Sequence, residues 1–325
     1  MEDKIITIKI SNFNLNVFRK LLEQALIVDN QLMLEFSSEM IKSCSFSNTK
    51  SFMKLWTIPL SNLIINNEKD SIELDIISVK KDVLNFPTFN FYILKGDLFR
   101  KYLSVHNTDT VDLEFVLHYD ETTDKYQAAN ITIYGKSENN SPLVTNFTLT
   151  TEELISNKIN DYVQIINECT PTKDMFEFIL TDIQIQEIKR LIKKLHKSSS
   201  DNTAFLTFTV DSEKNKITVN DKVFTIDFLI SKENLVDNKN FKFNILKSDF
   251  IITGNHSFSI FTNEIEEKVI LGANYAGCII WCLLGKINEN SMHFDDSIMD
   301  ANMDKNIDSL NLSEYGIDEK DDIPF

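Results

Sequence analysis

The residues able to do chemistry are few, and their spacing excludes more than it suggests. The histidines, His106, His118, His196, His256 and His293, are scattered with no metal-ligand spacing. No Gly-rich phosphate loop, nucleophile elbow or repeated Cys-x-x-Cys occurs. Of the cysteines, Cys44, Cys169, Cys278 and Cys282, the last two share a strand-like run, on one face but too far apart to bridge. Buried free thiols in a reducing compartment are the expectation. Asp97 and Asp249 recur in matching contexts, which suits helix caps or turns. The reading is of a protein that is not an enzyme and uses no cofactor or metal.

What remains is binding chemistry. The chain contains three arginines, Arg19, Arg100 and Arg190. Each sits beside a lysine on the polar face of an amphipathic helical stretch: Val17-Phe-Arg-Lys-Leu-Leu22, Leu98-Phe-Arg-Lys-Tyr-Leu103 and Glu187-Ile-Lys-Arg-Leu-Ile192. A guanidinium is a planar fork of donors suited to phosphate, whereas a scattered lysine need only solubilise. A polar outer face explains any one of these pairs. Their recurrence at one helical phase, in an otherwise acidic chain, implies a shared surface facing one polyanion. The residues expected to face it are Arg19, Lys20, Arg100, Lys101, Lys189 and Arg190, with Lys193, Lys194 and Lys197 on the third helix and Lys247 on a fourth. Contacts of this kind are sequence-independent and weaken as salt rises. Few aromatics interleave with these cations, so duplex DNA fits better than stacked single strands.

The elements that must position these cations are repeated. Phe89–Leu103 reads FNFYILKGDLFRKYL, and Phe241–Ile252 returns as FKFNILKSDFII. Ile10–Leu22 and Leu180–Ile192 form a second pair of copies, ISNFNLNVFRKLL and LTDIQIQEIKRLI. In each, an alternating strand pattern changes to helical period, with Ser11-Asn12 and Thr181-Asp182 as N-cap residue types. The order is therefore A, B, A, B, an internal duplication. Each helix is followed by about three short strand-like runs, so each half reads as two βαβββ units, an α+β fold with helices on one face. The reading places a first domain at 1–150, a connector at 151–174, a second domain at 175–288 and a tail at 289–325. In the connector, helical periodicity is weak.

Bulk properties agree. A chain of 325 residues, 42% hydrophobic and 25% charged, can bury two ordinary cores. The 24 Phe against 7 Gly and 5 Pro suit a sheet-rich interior. No apolar run reaches membrane-spanning length and no leader is read at Met1, so no membrane partner and a cytoplasmic location are expected. The net charge of −16 is unevenly spread: Ser291–Phe325 alone holds eight Asp, two Glu and two Lys, a net of −8. Such a segment buries too little apolar surface to fold alone and is expected to be disordered.

Two tandem domains, each a pair of βαβββ units with basic helices on an acidic body, resemble DNA sliding clamps. The similarity is to the T-even phage processivity factors and their proliferating-cell-nuclear-antigen (PCNA) relatives, and covers roughly residues 4–288. FKFNILKSDFIITGNHSFSIF followed by VILGANYAGCIIWCLL resembles the last unit of such clamps, and the first helix with QLMLEFSSEMIKSCSF the opening one. The resemblance implies a closed homotrimeric ring around duplex DNA, a viral (phage) replication protein acting in the host cytoplasm, a clamp loader to place it and a DNA polymerase to tether. The long acidic tail and a fourth helix bearing just Lys247 depart from the pattern. The tip Asp321-Asp322-Ile323-Pro324-Phe325 is similar to that of bacterial single-stranded-DNA-binding proteins, which implies docking of an apolar, acid-flanked end on partner proteins. That tip motivates an alternative function, a single-stranded-DNA-binding protein. A monomeric processivity subunit held on DNA by charge alone is a third reading.

Overall fold

The computed structural model describes residues 5–47, 51–65, 72–76, 79–82, 86–121, 124–151, 154–155, 162–196, 204–229, 240–263, 267–275 and 277–287. The chain divides into two compact units. The first comprises Met1–Met175, Phe258–Phe261 and Ile270–Leu284, and the second Phe176–Ser257, Thr262–Val269 and Gly285–Phe325.

The βαβββ order predicted from the repeats is present four times. It opens with β1 (Ile5–Asn14), α1 (Leu15–Leu26), β2 (Leu32–Phe36), β3 (Met40–Phe46) and β4 (Phe52–Pro59). A hairpin follows, β5 (Ile72–Ile76) and β6 (Val79–Asp82). The second repeat is β7 (Phe89–Ile93), α2 (Gly96–Ser104), β8 (Thr110–Asp120), β9 (Lys125–Lys136) and β10 (Pro142–Thr148). Helix α3 (Tyr162–Cys169) lies between the halves. The third repeat is β11 (Phe176–Leu180), α4 (Asp182–His196), β12 (Phe205–Asp211), β13 (Lys216–Asn220) and β14 (Thr225–Leu229). The fourth is β15 (Phe241–Leu246), α5 (Lys247–Ile251), β16 (Phe258–Thr262), β17 (Lys268–Tyr275) and β18 (Cys278–Gly285).

In the first unit the strand order is β16-β17-β18-β4-β3-β2-β7-β9-β8-β1-β5-β6, with β10 added on β9. Neighbours are antiparallel, except that β7 meets β9 in parallel at Phe89 and Asn90. The second unit carries the antiparallel sheet β14-β13-β12-β15. One face of each main strand is apolar: β1 and β8 alternate buried and half-buried positions along most of their length. The repeated phenylalanines fill equivalent places. Phe89 and Phe91 pack with Phe36 and Phe115 at centroid distances of 5.1–5.9 Å. In the other copy Phe243 stacks on Phe208 at 5.1 Å and lies 6.4 Å from Phe178. Each such ring, taken out of water, contributes on the order of 2–3 kcal/mol.

Three local features depart from the sequence reading. Strand β1 continues past Ile10 through a bulge at Ser11-Asn12, where Asn12 adopts φ 56°. The cap of α1 is therefore Asn14, whose side chain accepts from Val17 N at 3.1 Å. The run Asp70–Val79, whose pattern reads as one strand, falls instead on the β5–β6 hairpin, Ile72–Ile76 and Val79–Asp82. The connector holds the unpredicted α3. Its Tyr162, Ile165, Ile166 and Cys169 pack against Met33, Met53, Leu55, Tyr92, Trp281 and Leu283. Eight residues give a helix too little period to stand out in sequence, and burial on the sheet supplies what intrinsic propensity does not.

Candidate nucleic-acid interface

Helices α1 and α2 run antiparallel. The loop after α1 meets the start of α2, where Gly96 N donates to Asn30 O at 2.7 Å and Asp97 N to Asn30 Oδ1 at 2.9 Å. The approach requires glycine, because a Cβ at Gly96 would lie 2.1 Å from Leu26 Cδ2 and 2.9 Å from Asn30 O. At the other end Arg19 reaches from α1 to the C-terminus of α2. Its Nη2 donates to Leu103 O and, at 2.7 Å, to His106 O. Leu103 O lies in the last turn of α2, where it also accepts from His106 N at 3.3 Å, and His106 O lies just beyond the helix end; a cation there suits the helix dipole. Burial lowers the Arg19 pKa, and Glu23 opposes that effect.

The second unit repeats the device. Thr181 and Gln184 form a reciprocal capping box at the start of α4, with Gln184 N donating to Thr181 Oγ1 and Thr181 N to Gln184 Oε1. Lys189, which aligns with Arg19, donates from Nζ to Gly254 O at 2.6 Å, just past α5. It also lies over the Phe250 ring, 5.7 Å from the centroid. The first helix of each half thus ties down the end of the second.

The duplicated basic pair therefore splits in two. Arg19 and Lys189 are half-buried and hold helix ends, whereas their neighbours Lys20 and Arg190, and Lys101 at the matching place on α2, are exposed. Arg100, in the position that aligns with Arg19, is half-buried on α2. On α4 Lys194 is exposed and Lys193 half-buried; Arg190 lies 3.9 Å from Glu187 one turn back. Lys197 and the tip Asp321, Asp322, Ile323, Pro324 and Phe325 lie outside the described residues.

Lys247 corrects the sequence reading. Its side chain is 0% exposed and its Nζ lies 2.9 Å from Asp221, itself 3% exposed. It cannot meet a solvent-borne polyanion. The helix it begins is one turn long, and its first residue points into the unit rather than away. Burial lowers the Lys247 pKa, and the Asp221 hydrogen bond and charge oppose that effect. Sequence reasoning also missed that Arg19 is a cap. The available signal was that a base recurs at the same helical position in both halves, as a structural contact would also require.

The described residues contain no cluster of three or more His, Cys, Asp or Glu suited to a metal ion. No described helix is long and apolar enough to cross a membrane.

No family model and no curated protein matches this sequence. Solved structures do match its fold. PCNA from Entamoeba histolytica aligns with a TM-score of 0.56 at 11% identity, over 88% of this chain and 100% of that one. The PCNA2–PCNA3 complex of Sulfolobus tokodaii gives 0.53 at 13%, over 86% and 98%. A. fulgidus PCNA bound to the C-terminal region of FEN-1 gives 0.53 at 12%, over 87% and 99%. With nearly the whole of each of those chains matched, this chain has the two-domain fold of the PCNA-type sliding clamps.

Proposed function

We propose that this protein is a sliding clamp, a non-enzymatic processivity factor that encircles duplex DNA and tethers a replicative polymerase. The observation that carries the reading is the recurrence of exposed cations, Lys20, Lys101 and Arg190, at one phase of three helices in a clamp-fold chain. Lys193 and Lys194 extend that surface along α4. Phosphates met by such a surface are held without regard to sequence, which is what sliding needs.

Ring closure requires two different edges that pair head to tail. Among the described residues β10 pairs with β9 alone and β14 with β13 alone, so each unit offers an open edge there, besides the end strands β6 and β15. Beside the first lie exposed apolar side chains of α2, Leu98 and Tyr102, with Val105 just beyond its end; beside the second, Leu229 is 81% exposed. We take β10 of one copy and β14 of the next as the joint, and three copies as the ring, in which two domains per chain give six pseudo-equivalent positions. A clamp loader would open it. The tip Asp321–Phe325 is proposed as a docking end for replication partners. The single-stranded-DNA-binding alternative finds no support in this fold.

The test is topological. Protein threaded onto linear duplex should stay bound through a high-salt wash once both DNA ends are blocked, and should be lost when the DNA is then cut. Equal loss from blocked and open DNA would overturn the ring. A solution mass near that of one 37.6 kDa chain at all concentrations would favour the monomeric subunit instead.

A further inference from the structure

Besides its backbone ladder to β9, the open edge β10 is held to the body through one face by two side-chain contacts. Phe147 packs its ring against Phe99 and Tyr102 of α2, at 5.0 and 5.2 Å. Thr145, two residues away on the same face, bonds through Oγ1 to His106 Nε2 at 2.8 Å. His106 follows α2 and is 1% exposed. Among the described residues, the charged group that acts on it is a cation. From α1 comes the Arg19 guanidinium, bonded to the His106 carbonyl; β9 presents Gly135, β8 presents Val111, and β10 presents the Thr145 hydroxyl. The Gly135 position closes the pocket tightly, since a Cβ there would lie 2.5 Å from His106 Nδ1. That Nδ1 has no hydrogen-bond partner, and neither does the buried Arg19 Nε.

We infer that His106 is a proton-sensitive latch on β10: the neutral ring holds the strand against α2, and the charged ring releases it. Whichever nitrogen carries the single proton of the neutral ring, the imidazolium must carry an Nδ1–H donor with no acceptor, beside the half-buried Arg19 cation. Such a state is strongly disfavoured while the strand is closed. It is unremarkable once the strand lifts and water enters.

The direction of the response follows. Burial first, and Arg19 second, hold the His106 pKa below its ordinary value of 6.5. With β10 open the ring is solvated and takes up a proton as pH falls through about 6.5, while the closed form resists. Closure is therefore fully favourable above that value. Below it, each further pH unit raises the opening constant by up to about tenfold, until the closed form also titrates.

The assignment of β10 to the ring joint rests on the proposed function, but the latch does not, and one experiment on the full chain separates them. Amide hydrogen exchange across residues 142–148, corrected for intrinsic rate, is compared between mildly alkaline and mildly acidic buffer with β12 as internal reference, and solution mass is read in parallel. Exchange in β10 should accelerate in acid relative to β12, and His106→Gln, which keeps a neutral hydrogen-bonding side chain, should remove the acceleration. The control His118→Gln, on β8 and exposed, should retain it. No acceleration in the unaltered chain, or acceleration that survives His106→Gln, overturns the latch. Acceleration with a falling mass supports both readings; acceleration with a constant multimeric mass leaves the latch standing and removes β10 from the joint.

Discussion

At the scale of single residues, charge is divided between architecture and surface, and the division makes opposite predictions for adjacent side chains. Reversing the exposed set, Lys20→Glu, Lys101→Glu and Arg190→Glu together, should abolish duplex retention and polymerase stimulation while leaving the thermal midpoint within a few degrees. Arg19→Met should do the reverse. It removes the side-chain donor to His106 O and one of the donors to Leu103 O, and a loss of about 1–3 kcal/mol in denaturant unfolding is expected. If Arg19→Met is as stable as the parent, the capping role is wrong. Lys247 gives a second case. Lys247→Met leaves Asp221 buried without its cation, although Asp221 Oδ1 still accepts from Val223 N and Phe224 N at 2.9 Å. A loss near the lower end of the range for a broken buried pair, about 3 kcal/mol, is expected, with partial recovery on adding Asp221→Asn. An undiminished unfolding free energy for Lys247→Met would show the pair to be energetically idle.

At the scale of elements, the repeated stretches were legible because strand and helix periods change abruptly at the same place in each copy. FNFYIL and FKFNIL announce buried strands through alternating aromatics, and Phe89, Phe91, Phe241 and Phe243 are indeed core. What failed to show was decided by tertiary context. The fate of Lys247 depends on Asp221, which arrives from a distant turn. Arg19 and Lys20 differ only in which neighbour lies beside them, and a helical wheel places both on the polar arc. Helix α3 is stabilised by the sheet beneath it and carries little signal of its own. The strand β10 is also partly a tertiary product, its half-buried side resting on α2. Truncating Phe147→Ala should therefore loosen β10 before anything else, at a cost of about 2 kcal/mol, below the full-burial range because the ring is half-buried. Amide exchange would report it, and uniform loosening of the whole unit would count against β10 as a separately held edge.

At the scale of the whole molecule, composition alone misdirects. A net charge of −16 argues against nucleic acid until the acid is seen to be concentrated in the tail and the arginines on helices. The duplication makes the fold legible in the sequence, since four repeats of one order leave few arrangements. The proposed joint between β10 and β14 has a further meaning for a chain newly released from the ribosome. An unmatched pair of complementary strand edges is a polymerisation template. Whether copies stop at a small closed set or run on as a fibril depends only on the angle each joint imposes. Mutual repulsion among strongly negative protomers would keep such chains apart while they are dilute, and a substitution that bends the joint by a few degrees should show itself as filaments under the electron microscope rather than as misfolded monomer.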